Sequence, residues 1–105
     1  MRNVLCAGLL LGGLAIPLAV WSDEGDRITI DNFKFGPAAL TVAKWTEVTW
    51  LNRDDIPHSI VMSGGAARSK PLDTDQTFVY KFDKAGTFSY ICGLHPAMHG
   101  TVTVK

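Results

Sequence analysis

Neither charge dominates this chain. Ten basic and ten acidic side chains cancel within its 105 residues. A nucleic-acid partner would call for a basic stripe, and none is present. Cysteine is scarce, with only Cys6 and Cys92, and histidine is limited to His58, His95 and His99. Past residue 26 no segment sustains a helical hydrophobic period, no repeat recurs and no run is both long and apolar. A helical bundle, a repeat array and a disulfide-stapled fold are therefore excluded. The length suits one domain rather than two.

The one long apolar run comes first. Arg2 precedes residues 4–20, which carry no charge and are rich in Leu, Gly and Ala. Trp21 and the small Ser22 follow, then the acidic Asp23-Glu24-Gly25-Asp26. Residues 1–22 read as a secretory signal peptide, cut after Ala19 or after Ser22, and residues 23–105 as the exported domain. The other reading is an uncleaved anchor. Against it, the run is slightly shorter than the ~20 residues of a spanning helix and holds two adjacent glycines and a proline. Cleavage removes Arg2 and Cys6, leaving nine basic and ten acidic residues and one cysteine. An exported protein normally uses cysteines in pairs. Cys92 has no partner for an internal bridge, so burial or chemistry must explain it.

The remainder is a series of short alternating runs broken by turn residues. Ile28 and Ile30 share a face, as do Leu40 with Val42, Val48 with Trp50, and Val102 with Val104. Phe78, Tyr80 and Phe82 do the same. Short strands at 27–31, 39–42, 47–52, 58–62, 77–82, 87–92 and 100–105, with a polar connection over 63–75, predict an all-β sandwich or small barrel of about seven strands. Phe88, Tyr90 and Cys92 fall at two-residue steps. The thiol is therefore expected to point inward at the end of its strand.

Chemistry is concentrated in Cys92-Gly93-Leu94-His95-Pro96-Ala97-Met98, which sets a thiol, an imidazole and a thioether at three-residue steps. His58, held by the stiff Pro57, supplies a second imidazole. Two imidazoles, a thiolate and a weak thioether are the donors of a blue-copper electron-transfer site. Taken singly, His58 reads as a loop histidine, Met98 as core filler and Cys92 as an inert buried thiol. The set of four points to a metal. His99 breaks the step and reads as surface. Met62 reads as strand packing, and Asp54, Asp55, Arg68 and Lys70 as solvated loop charges.

The chain resembles the cupredoxins and, within their plastocyanin-type group, the amicyanins. The matching pieces are Val48-Thr49-Trp50-Leu51-Asn52-Arg53, Ile56-Pro57-His58, Ala85-Gly86-Thr87-Phe88-Ser89-Tyr90, the Cys92–Met98 loop and Gly100-Thr101-Val102-Thr103-Val104. Together they cover nearly all of residues 27–105. The resemblance implies a Greek-key β-sandwich of seven to eight strands and one copper ion cycling between Cu(I) and Cu(II). It further implies His58, Cys92, His95 and Met98 as ligands, and periplasmic electron transfer by a monomer free of the membrane after cleavage. The implied partners, an amine dehydrogenase and a c-type cytochrome, would dock near His95. Three departures stand out. Ser59 replaces a common Asn, so weaker linkage of the ligand loops and a less shielded sulfur are expected. Gly93 replaces a common Thr, removing another link. Trp45 replaces a turn Gly, and a bulky residue disfavours positive φ, so a different turn is expected, with Trp45 either an exposed aromatic or, the preferred reading, folded over the barrel end.

Three rivals remain. A copper carrier or store would use the same four residues. Structural zinc could take Cys92, His58 and His95, but a thioether is a poor zinc ligand and copper binds more tightly. An enzyme fits least. A multicopper oxidase needs more histidines, including one on each side of the cysteine where Ile91 and Gly93 stand. A Cys–His nucleophile needs an exposed thiol.

Overall fold

Residues that alternate apolar and polar at period two make a strand with one core face, and the described residues form eight strands on this pattern. The computed structural model describes residues 26–105; the signal-peptide reading of residues 1–22 lies outside the described residues. The strands are β1 (Arg27–Asp31), β2 (Lys34–Gly36), β3 (Ala39–Val42), β4 (Glu47–Asn52), β5 (Val61–Met62), β6 (Thr77–Lys81), β7 (Gly86–Ile91) and β8 (His99–Val104), with one 3₁₀ turn at Ser63–Gly65. One sheet has the order β2-β1-β4-β6 and the other β3-β8-β7-β5. The pairs β1/β4 and β3/β8 are parallel. Parallel neighbours cannot be joined by a hairpin, so the chain must cross between the sheets. The result is the Greek-key sandwich expected from the sequence.

The core lies between the sheets. Ile28, Ile30, Val48, Trp50, Tyr90, Cys92 and Val102 are all fully buried, as parity required. Trp50 of β4 meets Tyr90 of β7 edge-on, with centroids 5.4 Å apart and planes at 87°. This contact joins the two sheets through a favourable aromatic geometry. Tyr90 also fixes a glycine: any side chain at Gly100 would overlap its hydroxyl and ring. Burial pushes the Tyr90 phenol up to about 12.

Two regions depart from expectation. Only Val61 and Met62 of the expected 58–62 strand pair with β7. The preceding residues are met instead by the connection that followed. His58 and Leu72 exchange backbone hydrogen bonds at 3.2 and 2.7 Å, Ser69 N–H donates to Ile60 O, and Met62 N–H donates to Ala67 O. The polar 63–75 segment thus folds back as an arm over the His58 strand. Ser69 is buried because its hydroxyl accepts from Ile60 N–H and donates to Lys70 O.

The second departure is Trp45. It adopts the positive φ, 79°, that its bulk was expected to forbid. It is also 61% exposed rather than folded over the barrel end. Its N–H donates to Phe82 O at 2.6 Å, and that bond holds the turn against the cost of the backbone conformation.

Strand direction places the chemistry. β4 and β7 run toward the same end as the β1–β2 turn, and β8 starts there, because Ile30 pairs with Asn52 and Ile91 with His99. The loops after β1, β4 and β7 therefore converge at one end. Trp45 lies at the other.

Candidate metal centre

The three-residue steps of the loop are turns. His95 N–H donates to Cys92 O at 3.3 Å, and Met98 N–H donates to His95 O at 2.9 Å. Cys92 N–H then closes the loop on Met98 O at 3.1 Å. Each i→i+3 bond returns the chain on itself. Short spacing thus brings the three side chains together with few free torsions.

His58 arrives from the loop after β4. That loop is pinned by Asn52, a fully buried side chain at the end of the strand. Its Nδ2 donates to Ile56 O at 3.0 Å and to Leu72 O at 2.8 Å, and its Oδ1 accepts from Asp54 N–H at 2.9 Å. A buried amide with all these groups paired fixes its surroundings firmly.

The donors meet at one point. Cys92 Sγ lies 3.6 Å from His58 Nδ1 and 3.7 Å from His95 Nδ1. All three ligand atoms fall within 4.8 Å of one another. Bonds of about 2.0–2.3 Å from nitrogen and sulfur, meeting near 120°, span about 3.7 Å across a first-row ion. The residues therefore fit a metal in geometry as well as in donor type. His58 and Cys92 are fully buried and Met98 nearly so, while His95 is half-buried.

The ring nitrogens are sorted by Asp54. His58 Nε2 lies 2.9 Å from Asp54 Oδ2. The hydrogen bond from His58, and then that from Phe33 N–H, hold the Asp54 carboxyl below its ordinary value. An ionised carboxylate only accepts, so Nε2 carries the proton and Nδ1 keeps its lone pair for a metal. The sequence reading took Asp54 for a solvated charge; the structure makes it the group that orients His58. The available signal was its spacing, four residues before a candidate ligand.

Ser59 and Gly93 also differ from expectation. Ser59 N–H donates to Cys92 Sγ at 3.4 Å, so the sulfur keeps a donor. Ser59 Oγ accepts from Gly93 N–H at 3.0 Å, which ties the two ligand loops together. Ser59 links these loops without Asn at 59 or Thr at 93.

Sequence reasoning missed Phe33. It sits at the β1–β2 turn, 49% exposed, with its ring nearly perpendicular to the rings of both His58 and His95. Leu94, 48% exposed, and the exposed Pro96 and Ala97 neighbour His95 in the chain, and Ala97 lines a shallow cleft together with Phe33. His99 is exposed, as read.

Residues 25–105 match the family model described as copper binding proteins, plastocyanin/azurin family. The chain is 31% identical over 84 residues to amicyanin-alpha of Methylorubrum extorquens, covering 75% of this chain and 71% of that one. It is 31% identical over 89 residues to amicyanin of Paracoccus denitrificans, covering 80% and 68%. Among solved structures, a purple cupredoxin from Nitrosopumilus maritimus superposes with a TM-score of 0.73 at 31% identity, covering 75% of this chain and 98% of that one.

Proposed function

Because the chain belongs to the plastocyanin/azurin family of copper-binding proteins, we propose that His58, Cys92, His95 and Met98 hold one copper ion and that His95 is its electrical contact with partners. The protein is a blue copper electron-transfer protein. Copper supplies the one-electron couple; the chain supplies the frame. The soft thiolate of Cys92 suits the reduced ion, imidazole suits both oxidation states, and the weak thioether of Met98 adds a fourth donor that benefits the more highly charged oxidised ion. The turn bonds of the Cys92–Met98 loop, the Asn52 cluster and the Ser59–Gly93 link hold the donors through a change of charge. Small movement at the donors is what fast electron exchange needs.

The observation that carries this reading is the approach of both Nδ1 atoms to Cys92 Sγ, at 3.6 and 3.7 Å, with Asp54 holding the His58 proton on the far nitrogen. A carrier that hands over copper would favour an open, yielding site. Here two of the donors are fully buried and braced by hydrogen bonds, which favours electron transfer. Burial of the Cys92 thiol likewise favours a carrier of electrons over an enzyme with a cysteine nucleophile.

Redox proteins would dock on the apolar surface of Leu94, Pro96, Ala97 and Phe33 around His95 and exchange electrons through its ring. A dehydrogenase as donor and a c-type cytochrome as acceptor suit this small uncharged face. Export on residues 1–22 would place the domain, as a monomer, in the periplasm. The test is a visible spectrum of residues 23–105 after addition of Cu(II), then of ascorbate. An intense thiolate-to-copper band that bleaches on reduction and returns on oxidation is expected. A colourless copper complex would replace this reading with that of a carrier.

A further inference from the structure

The geometry points to Phe33 as a positioning residue for this centre, a strained aromatic wedge that locks the rings of both His58 and His95 from the solvent side. This rests on the copper electron-transfer reading above.

The backbone gives the first reason. Asn32 and Phe33 form the two-residue turn between β1 and β2, with φ of 53° and 60°. Positive φ at both central residues is the pattern of a type I′ hairpin turn, in which the second is typically glycine. Asn tolerates the left-handed region; an aromatic residue is held there at a cost. A non-glycine residue kept in such a conformation signals a use for its side chain.

Burial does not explain the choice. Phe33 is 49% exposed, whereas Phe35, two residues on, is 4% exposed and meets Tyr90 edge-on at 4.7 Å. The core is filled by Phe35. The Phe33 ring goes elsewhere: its centroid lies 5.5 Å from that of His58 at 88° and 5.1 Å from that of His95 at 89°. The two imidazoles are themselves 5.0 Å apart, so one perpendicular ring closes both. Edge-to-face contacts of this kind are favourable and directional.

The turn is also fastened to the ligand loop. Phe33 N–H donates to Asp54 Oδ2 at 3.0 Å, the same oxygen that faces His58 Nε2 at 2.9 Å. One carboxylate oxygen therefore sets both the ligand ring and the wedge against it. Among the described residues no carboxylate is hydrogen-bonded to the His95 ring in the way Asp54 meets His58; Phe33 bears on it directly. Without the wedge, His95 is the donor freest to swing toward solvent.

The test compares the parent with Phe33→Gly and Phe33→Leu. Glycine relieves the turn and removes the ring; leucine removes the ring and keeps the turn. The copper-free thermal midpoint of Phe33→Gly is expected to stay level or rise. Both reduced variants are expected to lose Cu(I) to bathocuproine disulfonate about tenfold faster than the parent, the scale of effect seen for groups that orient ligands. Electron self-exchange, read from NMR line broadening in mixtures of oxidised and reduced protein, should slow in both. Phe33→Tyr should restore parental values. Copper loss and self-exchange within twofold of the parent in Phe33→Leu would overturn the inference, whatever the stability of Phe33→Gly. A parent with no thiolate-to-copper band would instead remove the functional reading beneath it.

Discussion

Ser59 and Gly93 are matched to each other. Ser59 Oγ takes the Gly93 N–H at 3.0 Å, and a Cβ built on Gly93 would fall 2.8 Å from that same oxygen and 3.1 Å from Val61 Cγ2. The short hydroxyl reaches the backbone of residue 93 because no side chain stands there. Gly93→Ala is therefore expected to destabilise the protein by about 1–3 kcal/mol through overpacking. Ser59→Ala should cost about 1–3 kcal/mol by leaving a part-buried N–H unpaired. Because both act on one contact, the double variant should cost less than the sum of the two. Urea denaturation of the four proteins gives that coupling, and strict additivity would show that the residues act separately.

Much of this centre was legible in the sequence because its donors are encoded by spacing. Cys92, His95 and Met98 stand at i→i+3 steps, and strand parity turned Cys92 inward; the structure places both features as expected. His58 was legible through Pro57 and its chemistry. What was not legible depends on contacts between distant loops. Asn52 read as the last residue of a strand, yet it is the buried amide that pins the His58 loop. Residues 63–75 read as a free connection because their polarity gave no period. Their pairing with the His58 strand runs through backbone groups and the Ser69 hydroxyl, which carry no hydrophobic signature. Ser59 and Gly93 each looked like a loss; only together do they make a link.

Asp54→Ala should weaken copper binding while the fold persists. The carboxylate takes the His58 Nε2 proton and the Phe33 N–H, and its loss frees both the imidazole tautomer and the β1–β2 turn. Groups that orient a metal-bound histidine contribute about 10–100-fold to affinity. A competition titration of Cu(II) against a chelator of known affinity should show a loss of that order, with far-ultraviolet circular dichroism unchanged. Parental affinity would show that the Asn52 cluster alone suffices to orient His58.

Trp45→Gly should stabilise the domain. Trp45 has a φ of 79° and is 61% exposed, so it carries the cost of a left-handed backbone without burying much surface. The Lys44 ammonium, 5.6 Å from the ring centroid, offsets part of that cost, but an exposed cation–π contact contributes only about 0.5–1 kcal/mol. The backbone term is about 1–2 kcal/mol. Glycine keeps the N–H bond to Phe82 O. A net gain of about 0.5–1 kcal/mol in guanidinium denaturation is expected, with the copper spectrum unchanged because the turn lies at the opposite end of the sandwich. A loss of stability would mean that the indole packs more tightly than its exposure indicates.

Cys92 and Met98 lie on the same loop but differ in what they do, and substitution should separate them. Cys92 is fully buried, receives the Ser59 N–H, and faces both Nδ1 atoms. Cys92→Ala removes the thiolate and should abolish the visible band outright. Met98 is tied into the loop by backbone bonds at both ends, N–H to His95 O and O from Cys92 N–H, so its main chain stays in place when its side chain changes. Met98→Leu replaces the thioether with an apolar group of similar volume, a swap that buried sites tolerate. The band should therefore persist. The weak fourth donor favours the more highly charged oxidised ion, so its loss should raise the reduction potential. Cyclic voltammetry beside the visible spectrum reads both quantities. A persistent band with an unchanged potential would remove Met98 from the ligand set and leave Cys92, His58 and His95 as the complete donor set, whereas a lost band would give the thioether a share in holding the copper itself.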